Sequence, residues 1–340
     1  MSDDPSRPLD EASTDDAEFL RRRAREVAGI QLTGPPRVLR DTSNFMTIDR
    51  GDVLELDGHP YLVCGNEREG RFGIDDQPKY WVKRAMSLLN GQTYVVKLVF
   101  HESFNTDVHG KQYACERSAH KEAQVLEAVR DHPNFMHGRS VLDAGGNLVR
   151  IIDFIEGQTL LQYVGGLDMT HEHYVEQVLP RVLAETHDCF AGIAYLHSQG
   201  LCHGDIRNDH IILDEHTGWA RWIDFDFTRP SLIFDVWSLG NVLNFVLAKG
   251  FVTFHGLRTS RPDLIDRLTD EDASVFFRHR LMNLEKLYPH LPQGLNRMLR
   301  RFAAGNSERY QRADEVVEDL GACMQALGWW RRGQDRGRDG

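Results

Sequence analysis

The chain has 340 residues, of which 41% are apolar, so it is long enough to bury a substantial core in two packed units or one two-lobed domain. Its formal charge is -11, because 51 acidic side chains outnumber 40 basic ones, and this balance argues against general binding to nucleic acid or to anionic membranes. Its five cysteines form no C-x-x-C pair, which argues against a disulfide framework or a zinc site and favours a reducing compartment.

The N-terminal 45 residues are expected to be an extension that is partly disordered. Residues 1–18 are acidic and poor in large apolar groups, so they cannot offset the entropy lost on ordering. The basic run Arg21–Arg25 predicts a solvated helix face or tail, because one short run in an acidic chain is weak support for a localisation or nucleic-acid signal. The sequence contains neither a leader pattern nor 18 consecutive apolar residues, and we therefore expect a soluble, cytoplasmic protein without membrane contact.

Residues 46–154 are predicted to be rich in β-structure. The runs that predict strands are enriched in β-branched and aromatic residues and are bounded by turn residues: 53–56, 61–64, 80–82 and 93–100. A helix is expected from about residue 116 to 130, followed by two short strands that end at residue 154.

Residues 155–330 are predicted to be helical, because the apolar period changes from two towards 3.6. The predicted helices are 180–200, 235–246, 295–302 and 316–327. Gly200 is expected to cap the first of them. The tail, residues 331–340, is expected to be disordered.

Two acidic turns follow the helix that ends near Gly200. Asp205 and Asp224 stand 19 positions apart, each beside an apolar run, Ile211–Leu213 and Trp222-Ile223. A β-hairpin through the turn 214–218 would bring the two carboxylates to one pocket. One acid then orients a hydroxyl nucleophile while the other holds a metal, which predicts a phosphoryl-transfer centre.

A lysine and a glutamate are candidates to bind phosphate. Lys97 lies in a β-like run and is one of seven lysines in a chain with thirty-three arginines, although a lysine snorkelling from a strand edge is an equally good interpretation. Glu122 lies on the predicted helix beside its apolar face and is placed to orient a buried lysine. A single helix glutamate is usually solvated, so this assignment depends on the pairing.

Further polar residues surround the acidic pair. Asp224 follows a buried run, where a carboxylate without a cation is costly. Asp226 repeats the charge, which favours a Mg²⁺ site over a structural pair. Arg207 either meets the transferred phosphoryl group or is a surface cation.

These motifs resemble the protein-kinase-like superfamily, and in particular a bacterial-type Ser/Thr protein kinase-like domain. The run His203–Leu213 aligns without gaps on the catalytic-loop pattern H-R-D-L-K-x-x-N-I-L-L, and Asp224-Phe225-Asp226 aligns on D-F-G. Val95–Lys97 resembles the V-A-I-K strand, and Glu122–Leu126 resembles the helix with its partner glutamate. Further landmarks follow in the family's order: the hinge at 152–160, the helix start at 235–240 and the late arginine turn at 307–310.

The resemblance implies an α+β, two-lobed protein-kinase-like fold with a β-rich N-lobe over 46–154 and a helical C-lobe over 155–330. ATP is then expected between the lobes. Lys97, braced by Glu122, would hold the α- and β-phosphates. The resemblance also assigns residues to the rest of the nucleotide: Gly70 and Gly73 over the phosphates, and Asp153 and Ile155 at the adenine-binding hinge.

The catalytic roles also follow from the resemblance. Asp205 would orient the acceptor hydroxyl and Arg207 would offset charge on the moving phosphoryl group. Asp224 would bind Mg²⁺ or Mn²⁺, with His210 and Asp226 as further candidate ligands.

The chain departs from the family pattern at three places. Gly204 replaces the arginine of H-R-D, which is similar to the H-G-D loop of aminoglycoside and choline phosphotransferases. His210 replaces the metal-binding asparagine, and imidazole suits Mn²⁺ better than Mg²⁺. Only eight residues separate Asp226 from Asp235, which leaves no room for an activation segment.

The expected function is ATP-dependent phosphorylation of Ser/Thr hydroxyls of a protein. A nucleotide-binding pseudokinase that acts as a scaffold or regulator is the alternative from another class. A small-molecule kinase of the aminoglycoside or choline type is a third interpretation, because the usual platform for a peptide substrate is missing.

Overall fold

The computed structural model describes residues 14–71, 74–108, 111–229 and 231–330. The predicted α+β class is confirmed, because strands dominate the N-terminal part and helices the C-terminal part. The strands are β1 (Val38–Leu39), β2 (Val53–Leu56), β3 (His59–Arg71), β4 (Ile74–Ser87), β5 (Thr93–Lys97), β6 (Ser103–Val108), β7 (Lys111–Glu116), β8 (Gly138–Leu142), β9 (Leu148–Asp153), β10 (Gly157–Thr159), β11 (Ile211–Asp214) and β12 (Ala220–Trp222). The α-helices are α1 (Thr14–Ala28), α2 (Ala119–Ala128), α3 (Leu160–Gly165), α4 (His171–Gln177), α5 (Leu179–Ser198), α6 (Ile233–Ala248), α7 (Phe254–Ser260), α8 (Gln293–Arg300) and α9 (Ala313–Ala326).

The chain divides into two compact units. Among the described residues, the first unit comprises 14–102, 117–130 and 137–154, and the second comprises 103–116, 131–136 and 155–330.

The first unit contains a seven-stranded sheet in the order β1-β2-β3-β4-β5-β9-β8. Its strands pair antiparallel except for β1 and β2, which are parallel. Val96 and Ile151 are register partners on β5 and β9, and both are buried in the same core cluster. Alternation of side chains therefore directs Lys97, the residue after Val96, to the opposite face of β5.

Helix α1 corrects the prediction of disorder over residues 1–18, because the helix begins at Thr14. Residues 1–13 lie outside the described part of the chain. Leu20 and Ala24 are buried against β2 and β3, so an apolar stripe stabilises the helix despite its polar composition. The basic run forms an exposed face as predicted, except that Arg23 donates hydrogen bonds to the carbonyls of Leu88 and Leu89.

Lys83 on β4 is fully buried, and its ammonium group hydrogen-bonds the segment before β2 to the sheet. Nζ donates to the Ile48 carbonyl at 2.7 Å and to Asn66 Oδ1 at 2.8 Å. Burial lowers the pKa of Lys83 to about 8, although the charges of Asp49 and Asp52 act in the opposite direction. The neutral amine keeps two N–H groups, so both hydrogen bonds survive deprotonation.

The free energy of unfolding is therefore expected to rise with pH between about 8 and 10.5. In this window the unfolded chain holds a proton on Lys83 that the folded chain has released, and stability increases wherever the unfolded state binds more protons. Urea unfolding at several pH values, with Lys83→Met as the reference, isolates the effect. Equal pH slopes for the wild type and Lys83→Met would refute it.

The second unit contains the predicted helices. Helix α5 runs from Leu179 to Ser198 and buries the face that the sequence predicted, namely Val182, Cys189, Ile193 and Leu196. Gly200 follows in the left-handed region at φ 73°, where a glycine is favoured. This turn ends the helix and leads the chain to His203. In the described part of the chain, no helix is both long and apolar enough to cross a membrane.

Two expectations before residue 130 are corrected. The predicted strand over 93–100 ends at Lys97. The predicted helix over 116–130 begins only at Ala119, because the Ser118 side chain caps it by accepting from the Lys121 amide, and Glu116 belongs to β7. The hairpin of β6 and β7 was not predicted, and it groups with the second unit.

Candidate active site

In the first unit, β5 and α2 bring Lys97 and Glu122 into contact. Lys97 Nζ lies 2.6 Å from Glu122 Oε1, and the two side chains are 3% and 0% exposed. Burial of both charges is tolerable because each ion satisfies the other. The strand-edge interpretation of Lys97 is therefore wrong, since the side chain does not reach solvent.

Arg150 is a third member of this cluster that the sequence analysis missed. Its Nε donates to Glu122 Oε2 at 3.0 Å, so the carboxylate is shared between two cations. The other guanidinium nitrogens donate to the carbonyls of Leu148 and Leu98. An arginine inside the otherwise apolar run 148–152 was the available signal, because a charge in a buried strand requires a partner.

In the second unit, β11 and β12 form the predicted hairpin. Ile211 pairs with Trp222 in an antiparallel register, and the Ile223 amide donates to the His210 carbonyl at 2.9 Å. This last bond places Asp224 beside His210. The sequence prediction that a hairpin brings the two acidic turns together is confirmed.

His210 lies between the two acids. Its Nδ1 is 2.8 Å from the Asp205 carbonyl oxygen and 3.6 Å from Asp205 Oδ2, and its Nε2 is 3.8 Å from Asp224 Oδ2. A carbonyl only accepts hydrogen bonds, so Nδ1 carries the proton. In the neutral ring the lone pair of Nε2 therefore lies on the side of the Asp224 carboxylate.

The backbone of both acidic turns is unusual. Gly204 has φ 87° and Asp224 has φ 59°, both in the left-handed region. Glycine adopts this conformation at little cost, whereas for other residues it is uncommon and clusters at functional sites.

Burial raises the pKa of Asp205, while the charges of His210 and Arg207 act to lower it.

Arg207 is held by a neighbour. Its Nε donates to Asp209 Oδ1 at 3.0 Å, and a second guanidinium nitrogen contacts Asp209 Oδ2. Burial acts to raise the pKa of Asp209, but the charges of His210 and Arg207 hold it below its ordinary value. The cation two residues after Asp205 is thus part of an ion pair, and its side chain is 33% exposed.

Asp235 on helix α6 fixes the backbone at His203 and Gly204. Its Oδ2 accepts from the His203 amide at 2.6 Å and its Oδ1 from the Gly204 amide at 2.9 Å, while His197 Nε2 lies 3.1 Å from Oδ2. Burial acts to raise the pKa of Asp235, but the hydrogen bond and charge of His197 hold it low. In the sequence, Asp235 is recognisable only as the start of a helix, because its partners lie more than 30 residues away.

Replacing Asp235 by alanine is expected to lower the free energy of unfolding by about 2–4 kcal/mol, because two buried amides lose their acceptor. Urea denaturation measures this loss. Asp263→Ala, which removes an exposed carboxylate paired with Arg261, is the matched control. A loss below about 1 kcal/mol for Asp235→Ala would mean that the loop finds other acceptors.

The donor set near Asp224 fits a divalent cation. The imidazole lone pair and the Asp224 carboxylate are electron-rich and face one another, and a cation would relieve this. Asp226 is buried two residues further on. Among the described residues no group of three or more His, Cys, Asp or Glu side chains is arranged to hold a metal, so phosphate and water oxygens would have to complete the coordination.

The remaining predicted residues are distributed over both units. Gly70 lies near the end of β3, and Gly73 lies outside the described residues. Asp153 ends β9, where its amide donates to the His137 carbonyl at 2.9 Å. Ile155 is a half-buried residue of the second unit, just before β10.

Residues 81–233 match the model of a protein family described as protein kinase domain. The chain is 27% identical over 245 residues to serine/threonine-protein kinase PAK mbt of Drosophila melanogaster, covering 62% of this chain and 35% of that protein. It is 25% identical over 191 residues to sperm motility kinase 3A of Mus musculus, covering 46% of this chain and 36% of that protein.

A third relative, ribosomal protein S6 kinase alpha-1 of Mus musculus, is 24% identical over 289 residues, covering 74% of this chain and 38% of that protein. The chain thus spans little more than a third of the length of these curated relatives. Among solved structures, the kinase domain of Mycobacterium tuberculosis PknI matches with a TM-score of 0.47 and 14% identity, covering 77% of this chain and 95% of that one.

Proposed function

We propose that this chain, which belongs to the protein-kinase-like superfamily, is an ATP-dependent phosphotransferase that phosphorylates Ser/Thr hydroxyls of a protein. The observation that carries the proposal is the pair Asp205 and Asp224, which lie on either side of one imidazole on a loop fixed from helix α6. Two carboxylates of this kind supply an acceptor for the hydroxyl proton and a ligand for the metal of the nucleotide.

Each side chain has one part in the reaction. Asp205 accepts the proton of the substrate hydroxyl and aligns its oxygen for attack on the γ-phosphorus. Arg207, oriented by Asp209, offsets negative charge on the transferred group. Lys97 donates to the α- and β-phosphates, and Glu122, also held by Arg150, keeps its ammonium group in place.

The other assignments complete the nucleotide site. Backbone groups at Asp153 and Ile155 bind adenine, and Gly70 and Gly73 cover the phosphates. Asp224 and His210 would hold Mg²⁺ or Mn²⁺, and Asp226 is a further candidate ligand, although no three such side chains of the described residues are already arranged around a metal position. When bound, this cation neutralises the phosphate oxygens.

Replacing His210 by asparagine is expected to change the metal preference. Asparagine offers an oxygen donor, which Mg²⁺ prefers, whereas imidazole favours Mn²⁺. We expect the ratio of Mn²⁺ to Mg²⁺ affinity in the ATP complex to fall by about tenfold, or ~1.4 kcal/mol. Calorimetric titration of each metal into the ATP complex measures the ratio, and an unchanged ratio would exclude His210 as a ligand.

The alternative function is a pseudokinase that serves as a scaffold or regulator. The position of His210 favours it, because a protonated imidazole 3.8 Å from Asp224 Oδ2 would neutralise this carboxylate without any metal. Against this alternative stands the retention of Lys97, Asp205 and Asp224 together, which a scaffold does not need. The small-molecule interpretation rests on Gly204 and the missing activation segment.

Thermal-shift titration distinguishes the two main functions. A ligand that binds only the folded state raises the melting temperature by mass action. The phosphotransferase proposal predicts stabilisation by ATP only when Mg²⁺ or Mn²⁺ is present, together with turnover. Stabilisation by ATP without metal, or none at all, would favour the scaffold.

A further inference from the structure

The unpredicted hairpin of β6 and β7 packs on the residues that follow Asp226. The Thr228 amide donates to the Glu116 carbonyl at 2.8 Å, and the Glu116 amide donates to Thr228 Oγ1 at 3.2 Å. Two aromatic pairs extend this contact, with ring centroids 5.2 Å apart for Phe104 and Phe227 and 5.0 Å apart for Tyr113 and Phe234. The short link between Asp226 and Asp235 thus packs against the β6–β7 hairpin, which lies more than 100 residues earlier in the chain.

Arg229, which lies between Asp226 and Asp235, contacts the loop that contains Asp205. Its Nε donates to the Gly204 carbonyl at 2.7 Å, and this carbonyl belongs to the peptide group that joins Gly204 to Asp205. The hairpin orients the guanidinium group, because Nη1 contacts Cys115 Sγ at 2.7 Å and the group lies 5.9 Å from the ring centroid of Phe104. Phe234 of helix α6 lies at the same distance. A planar guanidinium can make both polar contacts at once, whereas a lysine ammonium cannot reproduce this fork.

Asp235 binds amide groups of the loop 203–205, whereas Arg229 binds a carbonyl group of the same loop. Asp235 accepts from the amides of His203 and Gly204, and Arg229 donates to the carbonyl of Gly204. The peptide before Asp205 therefore cannot rotate without breaking one of these bonds. Gly204, with no Cβ and φ 87°, is the position where such rotation would otherwise meet least resistance.

We propose that Arg229, oriented by the β6–β7 hairpin, is a positioning residue that holds the Asp205 loop in its working conformation. The hairpin thereby fixes the loop through a link of only eight residues between Asp226 and Asp235. The inference rests on the proposed function for its catalytic readout but not for its structural one.

The test compares the wild-type chain of 340 residues with Arg229→Gln and Arg229→Lys by steady-state kinetics and by hydrogen exchange of the backbone amides. Arg312→Gln is the matched control, because Arg312 is an exposed arginine paired with Asp314 outside the site. We expect Arg229→Gln to lower kcat by about 10²-fold, the cost of a small misplacement of a catalytic group. KM for ATP is expected to change less than about twofold, since a positioning defect acts on the chemical step.

Hydrogen exchange makes the outcome independent of activity. Protection of residues 201–206 is expected to fall in Arg229→Gln and to recover in part in Arg229→Lys, while α5 and α9 stay as protected as in Arg312→Gln. Unchanged protection of 201–206 would overturn the inference, whether or not the wild type transfers phosphate. Lost loop protection in a protein without turnover would instead support the inference and refute the proposed function.

Phe104→Ala keeps the inference testable if the arginine variants fail to fold. Phe104 is 40% exposed, so its truncation should spare the core while it removes one ring beside the guanidinium. Relative to the wild type, a selective loss of protection at 201–206 is expected. Wild-type protection there would show that the hairpin does not act on the loop.

Discussion

Asp205→Asn is expected to lower kcat by about 10³-fold, because the amide cannot accept the proton of the attacking hydroxyl. The substitution preserves the size of the side chain, and the main-chain bond from His210 Nδ1 to the carbonyl of residue 205 does not depend on the carboxylate. The fold and nucleotide binding should therefore survive. ADP release at saturating ATP measures the loss.

Asp263→Asn is the control for Asp205→Asn, since it also converts a carboxylate of the second unit to an amide. Asp263 is exposed, pairs with Arg261 and lies outside the site. Its kcat should equal that of the wild type. A fall in kcat of less than about tenfold in Asp205→Asn, with the melting temperature unchanged, would remove Asp205 from the role of proton acceptor. A large fall in the melting temperature would point to a structural role instead.

Lys97→Met is expected to weaken ATP binding by about 1.5–3 kcal/mol, the value of a hydrogen bond to a charged group, which is roughly 10- to 100-fold in Kd. The protein should remain folded because Glu122 keeps the bond from Arg150 Nε at 3.0 Å. The carboxylate is thus not left as an isolated buried charge, a state that would cost several kcal/mol. Fluorescence titration with an ATP analogue measures the affinity.

Lys121→Met provides the control for Lys97→Met, because Lys121 lies on α2 directly before Glu122 and is not buried. Its affinity for the analogue should match the wild type. If Lys97→Met binds the analogue as tightly as Lys121→Met does, the buried pair of Lys97 and Glu122 serves only to stabilise the first unit.

The sequence predicts most of the parts of the site that are local in the chain. Asp205, His210 and Asp224 come together through a hairpin, whose register follows from two apolar runs and a polar turn. The pair of Lys97 and Glu122 spans a longer separation. It was inferred from a lysine in a β-like run and a glutamate on the following predicted helix, and contact at 2.6 Å supports that inference.

Long-range partners are what the sequence did not reveal. Arg150 and Asp235 act through contacts with residues 28 or more positions away, and a local pattern of apolar residues carries no information about such contacts.

Residues 116–118 were predicted to be helical because helical residues follow directly. The alternation of Phe104, Thr106 and Val108 was a signal for β6, but a short polar hairpin buries little apolar surface and gives a weak pattern. Helix α1 was missed before residue 19 because only a narrow stripe is buried.

The most direct test of the central claim is transfer of label from γ-labelled radioactive ATP to a degenerate Ser/Thr peptide library, with Mg²⁺ and with Mn²⁺. The account predicts that the wild type incorporates label with at least one of these metals and that Asp205→Asn does not. Equal incorporation by the two proteins, or none by the wild type with either metal, would contradict it.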